Sequence, residues 1–557
     1  MGTHKNIRGA GLLGAGLLAL LFAGSSSAAF AQAPAAGAPA ADPREARIEQ
    51  LEAEVQALAD QVADLKRAQA AQIVTLAGVE AKTPPPPTAL VSITGGKPAI
   101  TSADGKFSAN FHGVAQLDLG QYNQKSAGPT ATDLRRSGPA IGYSASNVDL
   151  THARDLKNGD NFRRARIGID GVAFGDFDYR VLFDFAGTGT ENAGQLYETW
   201  IQYNGFKPIR VRVGEFAPSF GLEDAASTNG TVFLERPGSS DTARNLAGGD
   251  TRTAVQLFGY GDHWLAAAAV TGRTVGVVNS GTVVTLTSTP SSGSPATVAV
   301  GTAQTYGDQL GFTGRLAGTP LYGSDWLIHV GAHGSYVARP ANVTGPDTTG
   351  VTPLKGSVIR LSDITELRVD GTKLVDTGNI NARHAYTGGV EFAAQKQSLF
   401  LEAEYERFHI DRSDVGLSSP SFDAFYVEGS WIITGEARKY NAATAAFDAP
   451  PVAHPFNPKK GAWGAFELGL RYSDLNLNYH AGAAGAAPAA DAIRGGDQQI
   501  MTAGLNWYLN PLIRFMFDYQ HVKIDRLSPS ASTYSTTTGA QIGQSYDAFA
   551  VRSQLAF

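Results

Sequence analysis

The chain has 557 residues, 51 acidic against 45 basic side chains, and a formal charge of −6 at pH 7, a balance that gives no reason to expect nucleic acid as a partner. It has no cysteine, which excludes disulfides and thiolate metal sites but leaves an oxidising compartment open. After the first residues, no segment approaches the ~20 uninterrupted apolar residues that a membrane-spanning helix needs.

Residues 1–31 predict a secretory signal peptide. Lys5 and Arg8 give a basic start, an apolar run extends from Ala10 to Ala23, and Ala29-Phe30-Ala31 forms the small-residue cleavage pattern. A flexible Ala/Pro-rich segment follows at 32–43. From 44 to 77, Ile48, Leu51, Val55, Leu58, Val62 and Leu65 alternate in steps of three and four, which predicts a short parallel coiled coil. Such a coil could contact the cell wall or another periplasmic partner. Residues 78–96 read as a Pro-rich linker, with Pro84–Pro87 breaking the helix and stiffening the connection.

Residues 97–557 change texture: glycine, aromatic and β-branched residues dominate. Sixteen alternating segments are predicted as strands, at about 106–120, 162–174, 177–187, 195–205, 208–216, 252–260, 263–272, 307–317, 325–338, 383–395, 398–410, 422–434, 462–474, 498–509, 512–524 and 545–557. The joins alternate as well. Tight ones such as Gly175-Asp176, Asn204-Gly205, Gly261-Asp262 and Asn510-Pro511 carry turn residues, and most of the others are long. Short turns at one end and long loops at the other predict an antiparallel transmembrane β-barrel. One join, 435–461, is long where the alternation requires a short turn, and nothing in its sequence accounts for it.

Within the strands one face suits lipid, for example Phe466, Leu468, Leu470 and Tyr472, while the alternate face carries Glu467 and Arg471. A soluble β-sandwich alternates too, with the apolar face inward. The export signal, sixteen strands in one domain, and a last segment YDAFAVRSQLAF ending in Phe557 favour the barrel. Arg164, Arg166, Arg180, Arg210, Arg212 and Arg252 share the polar parity of the second to sixth segments. Facing lipid near the bilayer midplane they would cost roughly 2–4 kcal/mol each. They are therefore expected to line water, where a cationic wall favours anions.

The stretches FRRARIGIDGVAFGDFDYRVLFDFAG, GFKPIRVRVGEFAPSFGLEDAASTNGTVFLERP, SWIITGEARKYN and GGDQQIMTAGLNWYLNPLIRFMFDYQHVKIDR resemble the phosphate-selective porins O and P over most of 97–557. The resemblance implies a homotrimer of sixteen-stranded barrels with the third loop, about 217–250 and containing Phe220, Gly221, Leu222, Glu223 and Asp224, folded inward as a constriction. It also implies that the paired arginines of the FRR motif, Arg163 and Arg164, contact the anion. By strand parity Arg163 opposes Arg164 and reaches the pore only if the strand has ended or bulged there. Two positions depart from the family pattern: Asp224 stands where the phosphate-selective members have a lysine after FGLE, and Tyr197 where they have an aspartate. The first exchange is unfavourable at a phosphate site but leaves the pore intact.

Glu402, Glu404 and Glu406 share the polar parity of the eleventh segment, with Glu428 on the next. Either they form an acidic lumen wall opposite the arginines, giving a transverse field, or they lie above the constriction and are simply hydrated. No G-x-S-x-G, H-E-x-x-H or P-loop pattern is present, so no enzymatic activity is expected. His329 and His333 share a strand face without an evident third ligand, so they read as lumen residues, and neither metal nor cofactor is expected. The expected function is passive diffusion of small hydrophilic solutes, anions such as phosphate among them, across the lipid of a Gram-negative outer membrane. The alternative is an envelope-tethering structural barrel with a weakly selective or general pore.

Overall fold

The computed structural model describes residues 43–80, 89–124, 156–186, 194–246, 249–274, 283–288, 296–301, 309–340, 357–528 and 539–557; the expected signal peptide and the segment 32–42 lie outside them. The chain divides into two compact units, Met1–Pro85 and Pro86–Phe557. In the first, helix α1 (Pro43–Glu80) contains the predicted coil and runs three residues beyond it. Its apolar seam is uncovered in a single chain, from Val62 at 49 % exposure to Leu65 at 69 %.

The second unit opens with a hairpin, Leu90–Thr94 against Lys97–Thr101. Gly95 and Gly96 form its two-residue turn, both with positive φ, as such turns require. The predicted linker therefore ends in a strand, because alternating Val91 and Ile93 can pair through this turn. Sixteen barrel strands follow: β1 (Ser108–Gln124), β2 (Gly159–Ala173), β3 (Phe177–Asp184), β4 (Gln195–Tyr203), β5 (Ile209–Phe216), β6 (Arg252–Gly261), β7 (Trp264–Thr271) and β8 (Leu310–Tyr322). The second half comprises β9 (Trp326–Arg339), β10 (Ile380–Lys396), β11 (Leu399–Arg412), β12 (Ser421–Ile432), β13 (Ala465–Tyr479), β14 (Ile493–Tyr508), β15 (Ile513–Asp525) and β16 (Ser545–Ala556). Each strand pairs antiparallel with the next, and β16 returns to β1 from Tyr546↔Gln124 to Ala556↔Val114. No edge is left unpaired around the ring, which is what hydrocarbon demands of a strand-built span.

Side-chain direction follows the alternation. Ile201, Leu470, Met501 and Phe549 are exposed on the outer surface, whereas Arg471, Arg514, Asp518 and Arg552 are buried within. The apolar core lies inside the barrel as well, because among the described residues three segments fold into it. The loop 217–251 carries helices α2 (Leu222–Ala225) and α3 (Gly238–Leu246). Residues 357–379 bring Leu361, Leu367, Leu374 and Val375 against Phe408, Phe422 and Ile524 of the wall.

The third is the long join between β12 and β13, whose fold explains its length. It forms a small hairpin, Lys439–Asn441 with Ala446–Asp448, that sits within the barrel. Phe447 meets the Phe400 ring at 4.8 Å, Arg438 forms a two-pronged pair with Glu467 at 2.9 Å, and Arg315 donates to the carbonyls of Thr444 and Ala445 at 2.6 and 2.8 Å. The join is long because it is an internal filler built on buried ion pairs, not a turn.

The loop 217–251 is held just as firmly. The Glu404 carboxylate accepts the amide N–H groups of Leu222 and, at 3.2 Å, Glu223. Gly221, at φ 61°, occupies the left-handed region next to this carboxylate; a Cβ there would lie 3.2 Å from Glu404 Oε1, so glycine fits on both counts. Arg236 ties down the loop backbone, donating to the carbonyls of Glu223 and Ala226 at 3.0 and 2.8 Å. Burial, reinforced by the nearby Glu428, pushes the Glu223 carboxyl up to about 8.

Replacing Glu467 with Leu strands the Arg438 guanidinium in a buried site and should lower stability by about 3–5 kcal/mol, read as a fall in the thermal midpoint of the detergent-solubilised barrel. Because Glu223 binds its proton more tightly folded than unfolded, docking of the loop is strongest below the ordinary carboxyl range and weakens as pH rises towards about 8. Limited proteolysis of the loop across that window should show rising cleavage, and Glu223→Gln should flatten the dependence.

Candidate functional site

Two of the cavities formed by the described residues lie inside the barrel. The upper, of about 480 Å³, lies towards the long-loop end and is lined by Arg163, Arg244, Arg360, Arg368 and Lys373, among others. The lower, of about 1160 Å³, lies towards the short-turn end, with Lys97, Arg180, Arg212, Arg236 and Lys439 in its lining. Arg166, Tyr197 and Asp250 line both, and so form the neck between them.

Each neck residue is fixed by its neighbours. The Arg166 guanidinium lies 3.6 Å above the Tyr197 ring, and its Nε donates to Asp184 Oδ2 at 2.7 Å. The Tyr197 hydroxyl donates to Asp250 Oδ2 at 2.5 Å, whose other oxygen pairs with Arg244 at 2.8 Å. Burial opposes ionisation of Asp250, but Arg244, Arg236 and the Tyr197 hydroxyl outweigh it and hold the carboxyl below its usual range. The neck thus presents a guanidinium, an aromatic face and a compensated carboxylate.

The arginines marked out by the sequence divide into two sets. Arg163 and Arg164 both point inward, because the β1–β2 register slips between Gln116 and Leu117, pairing Gln116 with Arg164 and Leu117 with Phe162. Arg163 is the extra residue of this bulge, so the simple parity that set it opposite Arg164 fails there. Arg163 pairs with Glu235 at 2.7 Å and borders the upper cavity, whereas Arg164 is covered and donates to Gln116 at 2.7 Å. Arg180 borders the lower cavity, paired with Glu198 at 3.0 Å and Asp170 at 3.3 Å. Arg210 and Arg212 make no ion pair among the described residues: Arg210 donates to the carbonyl of Pro208 and Arg212 to Gln202. Arg252 is covered by the loop and donates to the carbonyls of Arg244 and Gly249; it anchors the constriction and borders neither cavity.

The acidic wall does not face open lumen, and neither sequence-level reading of it holds. Glu402, Glu404 and Glu406 are at most 4 % exposed, because the constriction loop lies over them. Glu404 caps that loop, Glu402 accepts from the Tyr426 hydroxyl, and Glu406 contacts His333. Of the loop residues, Phe220 packs on the His333 ring at 4.5 Å, Gly221 and Leu222 dock on Glu404, and Glu223 is buried, with ligand atoms of Glu402 and Glu428 within 4.8 Å of its own. Asp224 borders the lower cavity and pairs with Arg244 at 3.5 Å.

The third group that His329 and His333 lacked in sequence is Glu391. It contacts both histidines and also accepts Arg315 on both carboxylate oxygens. With the guanidinium occupying the carboxylate, the cluster is a buried ion-pair knot. Sequence reasoning missed Asp250, Arg244, Arg360, Arg368 and Lys373; all come from loops, where strand alternation carries no signal.

A family model described as phosphate-selective porin O and P matches residues 137–548. Porin O of Pseudomonas aeruginosa is 24% identical over 384 residues, spanning 67% of this chain and 80% of that protein. Among solved structures, an outer-membrane-expressed OmpT of Vibrio cholerae aligns at TM-score 0.42 and 10% identity over 81% of this chain and 98% of that one. An anion-selective porin from Comamonas acidovorans aligns at TM-score 0.41 and 11% identity, over 81% of this chain and 100% of that chain. The closed sixteen-stranded ring, its inward loop and the match across 137–548 together make this chain a member of the phosphate-selective porin O and P family, a porin of the Gram-negative outer membrane.

Proposed function

We propose that the barrel conducts small hydrophilic anions passively, along a path from the upper cavity through the neck into the lower one. The observation that carries this reading is the division of charge along the path. Arg210, Arg212 and Arg236 make no ion pair among the described residues and donate to carbonyl oxygens of backbone or amide, so a net positive potential is left at the wall of the lower half. Weak, repeated guanidinium contacts attract an anion without trapping it.

Inorganic phosphate is one permeant of this class and not the sole one. Asp224, at the lower cavity, places a carboxylate where the family pattern has a lysine, and Tyr197 puts a ring at the neck. The Asp224 exchange lowers the positive charge density that would hold a small multivalent anion, whereas Tyr197 removes a negative charge and adds bulk. The ion-pair knots support a channel in preference to an enzyme: Glu391 is occupied by Arg315, His329 and His333, and Glu467 by Arg438, and these groups hold the inserted loops in place.

The assembly is read as a homotrimer, as in one of the similar structures, the in-vitro folded OmpT of Vibrio cholerae, described in trimer form. The uncovered seam of α1 supports self-association of these helices between chains, since six apolar side chains at heptad spacing stand in water otherwise. Deleting residues 44–83 should lower the detergent stability of the oligomer while leaving single-channel conductance unchanged. An unaltered oligomer with falling envelope integrity would make α1 a tether to the cell wall instead.

Zero-current potentials across a KCl gradient should show chloride preference, and potassium preference would overturn the anion reading. One charge about 4 Å from a permeant ion in water is worth about 1 kcal/mol, so Arg212→Gln should reduce the chloride-over-potassium ratio by up to about fivefold. Tyr197→Ala, which removes the ring from the neck, should raise the single-channel conductance.

A further inference from the structure

Several inward arginines of this barrel lie over rings, and on β5 Arg210 and Arg212 do so without an ion pair among the described residues. The Arg212 guanidinium carbon is 4.3 Å from the centre of the Trp200 ring, 5.2 Å from Phe258 and 5.3 Å from Phe216. The Arg210 carbon is 3.9 Å from the Tyr260 ring. Neighbouring backbone is shaped for this arrangement: Gly214, at φ 142°, pairs with Trp200, and a Cβ on it would stand 2.9 Å from the Trp200 Cβ. Gln202 Oε1 takes Nε and Nη2 of Arg212 at 3.0 and 2.7 Å, leaving Nη1 with no protein acceptor among the described residues.

A guanidinium stacked on rings is held flat, carries its full charge, and offers donors only at its edge. Arg210 and Arg212 stand on alternate residues of one strand face, but only Arg212 lines the lower cavity, so an anion there meets one guanidinium edge of this pair. The cavity that Arg212 borders is about 1160 Å³, far larger than an inorganic oxyanion. Phe258 and Leu265 contribute apolar surface to its lining alongside Arg212. A charged edge beside ring faces in a roomy, water-filled cavity is complementary to a flat organic anion.

We propose that the lower vestibule holds a subsite for aromatic carboxylates, with the carboxylate at the free edge of Arg212 and the ring against the Phe258 and Leu265 side of the wall. This rests on the anion-pore reading above and adds a substrate class to it. The ring surface adds favourable contact that a small aliphatic acid lacks.

The test uses the full-length protein in planar bilayers, with benzoate, acetate or inorganic phosphate added to the short-turn side while chloride current is recorded. Benzoate should half-block the current at a concentration about tenfold or more below that of acetate or phosphate, as burial of a ring implies. Phe258→Ala should bring the benzoate value towards that of acetate, and Arg212→Gln should weaken block by both. Equal half-blocking concentrations of benzoate and acetate in the unmodified channel would overturn the subsite, and this comparison does not depend on any variant folding. The zero-current potential of the same channels separates the two claims. Chloride preference with equal block removes only the subsite, whereas potassium preference removes the anion pore on which it rests.

Discussion

The interior of this barrel is governed by one electrostatic constraint: a guanidinium that cannot face lipid must find a carboxylate, a carbonyl oxygen or water inside. Arg438 with Glu467, Arg315 with Glu391 and Arg552 with Asp118 take the first course, all nearly inaccessible to solvent. A buried charge without its partner costs several kcal/mol, so these pairs dictate where the inserted segments can sit. Arg438 and Arg315 hold the hairpin of the β12–β13 join, and Arg552 also reaches Glu235 of the constriction loop at 2.8 Å. Arg164 and Arg252 take the second, and Arg212 keeps an edge at the wall of the open cavity.

The same division makes the pore eccentric. Three inserted segments and their apolar residues fill the side of the lumen bounded by β8 to β16, where Leu361, Leu367, Phe233 and Phe447 pack on the wall. The open path is left along β2 to β6, beside the arginines. Positive φ at Gly221, bulging at Arg163 and the Glu404 cap on α2 are local departures from regular structure. They cluster where the constriction loop meets the wall, beside buried hydrogen bonds.

Nearly all of the architecture was legible in the sequence because a barrel in lipid leaves the chain little freedom. Lipid on one face and polar groups on the other force period-two alternation, and each predicted segment corresponds to a strand. The alternation failed at Arg163, where a bulge adds one residue and returns both arginines to the interior. It was silent on the join 435–461, whose Phe447 and Arg438 have partners, Phe400 and Glu467, that are distant or across a turn and unmarked by any spacing. It also left the glutamates of β11 ambiguous, since facing inward does not say what lies on top.

The sequence by itself determined the strands, their inward and outward faces and the family, since these follow from local periodicity and from motifs contiguous in the chain. Only the tertiary structure decided which inward charges are spent on holding loops and which remain beside the path. That choice rests on contacts between residues far apart in sequence, such as Arg163 with Glu235 and Glu404 with Leu222. Ion pairing depends on the distance between charged atoms and on the exclusion of water, and neither quantity is written in the spacing of residues along a strand.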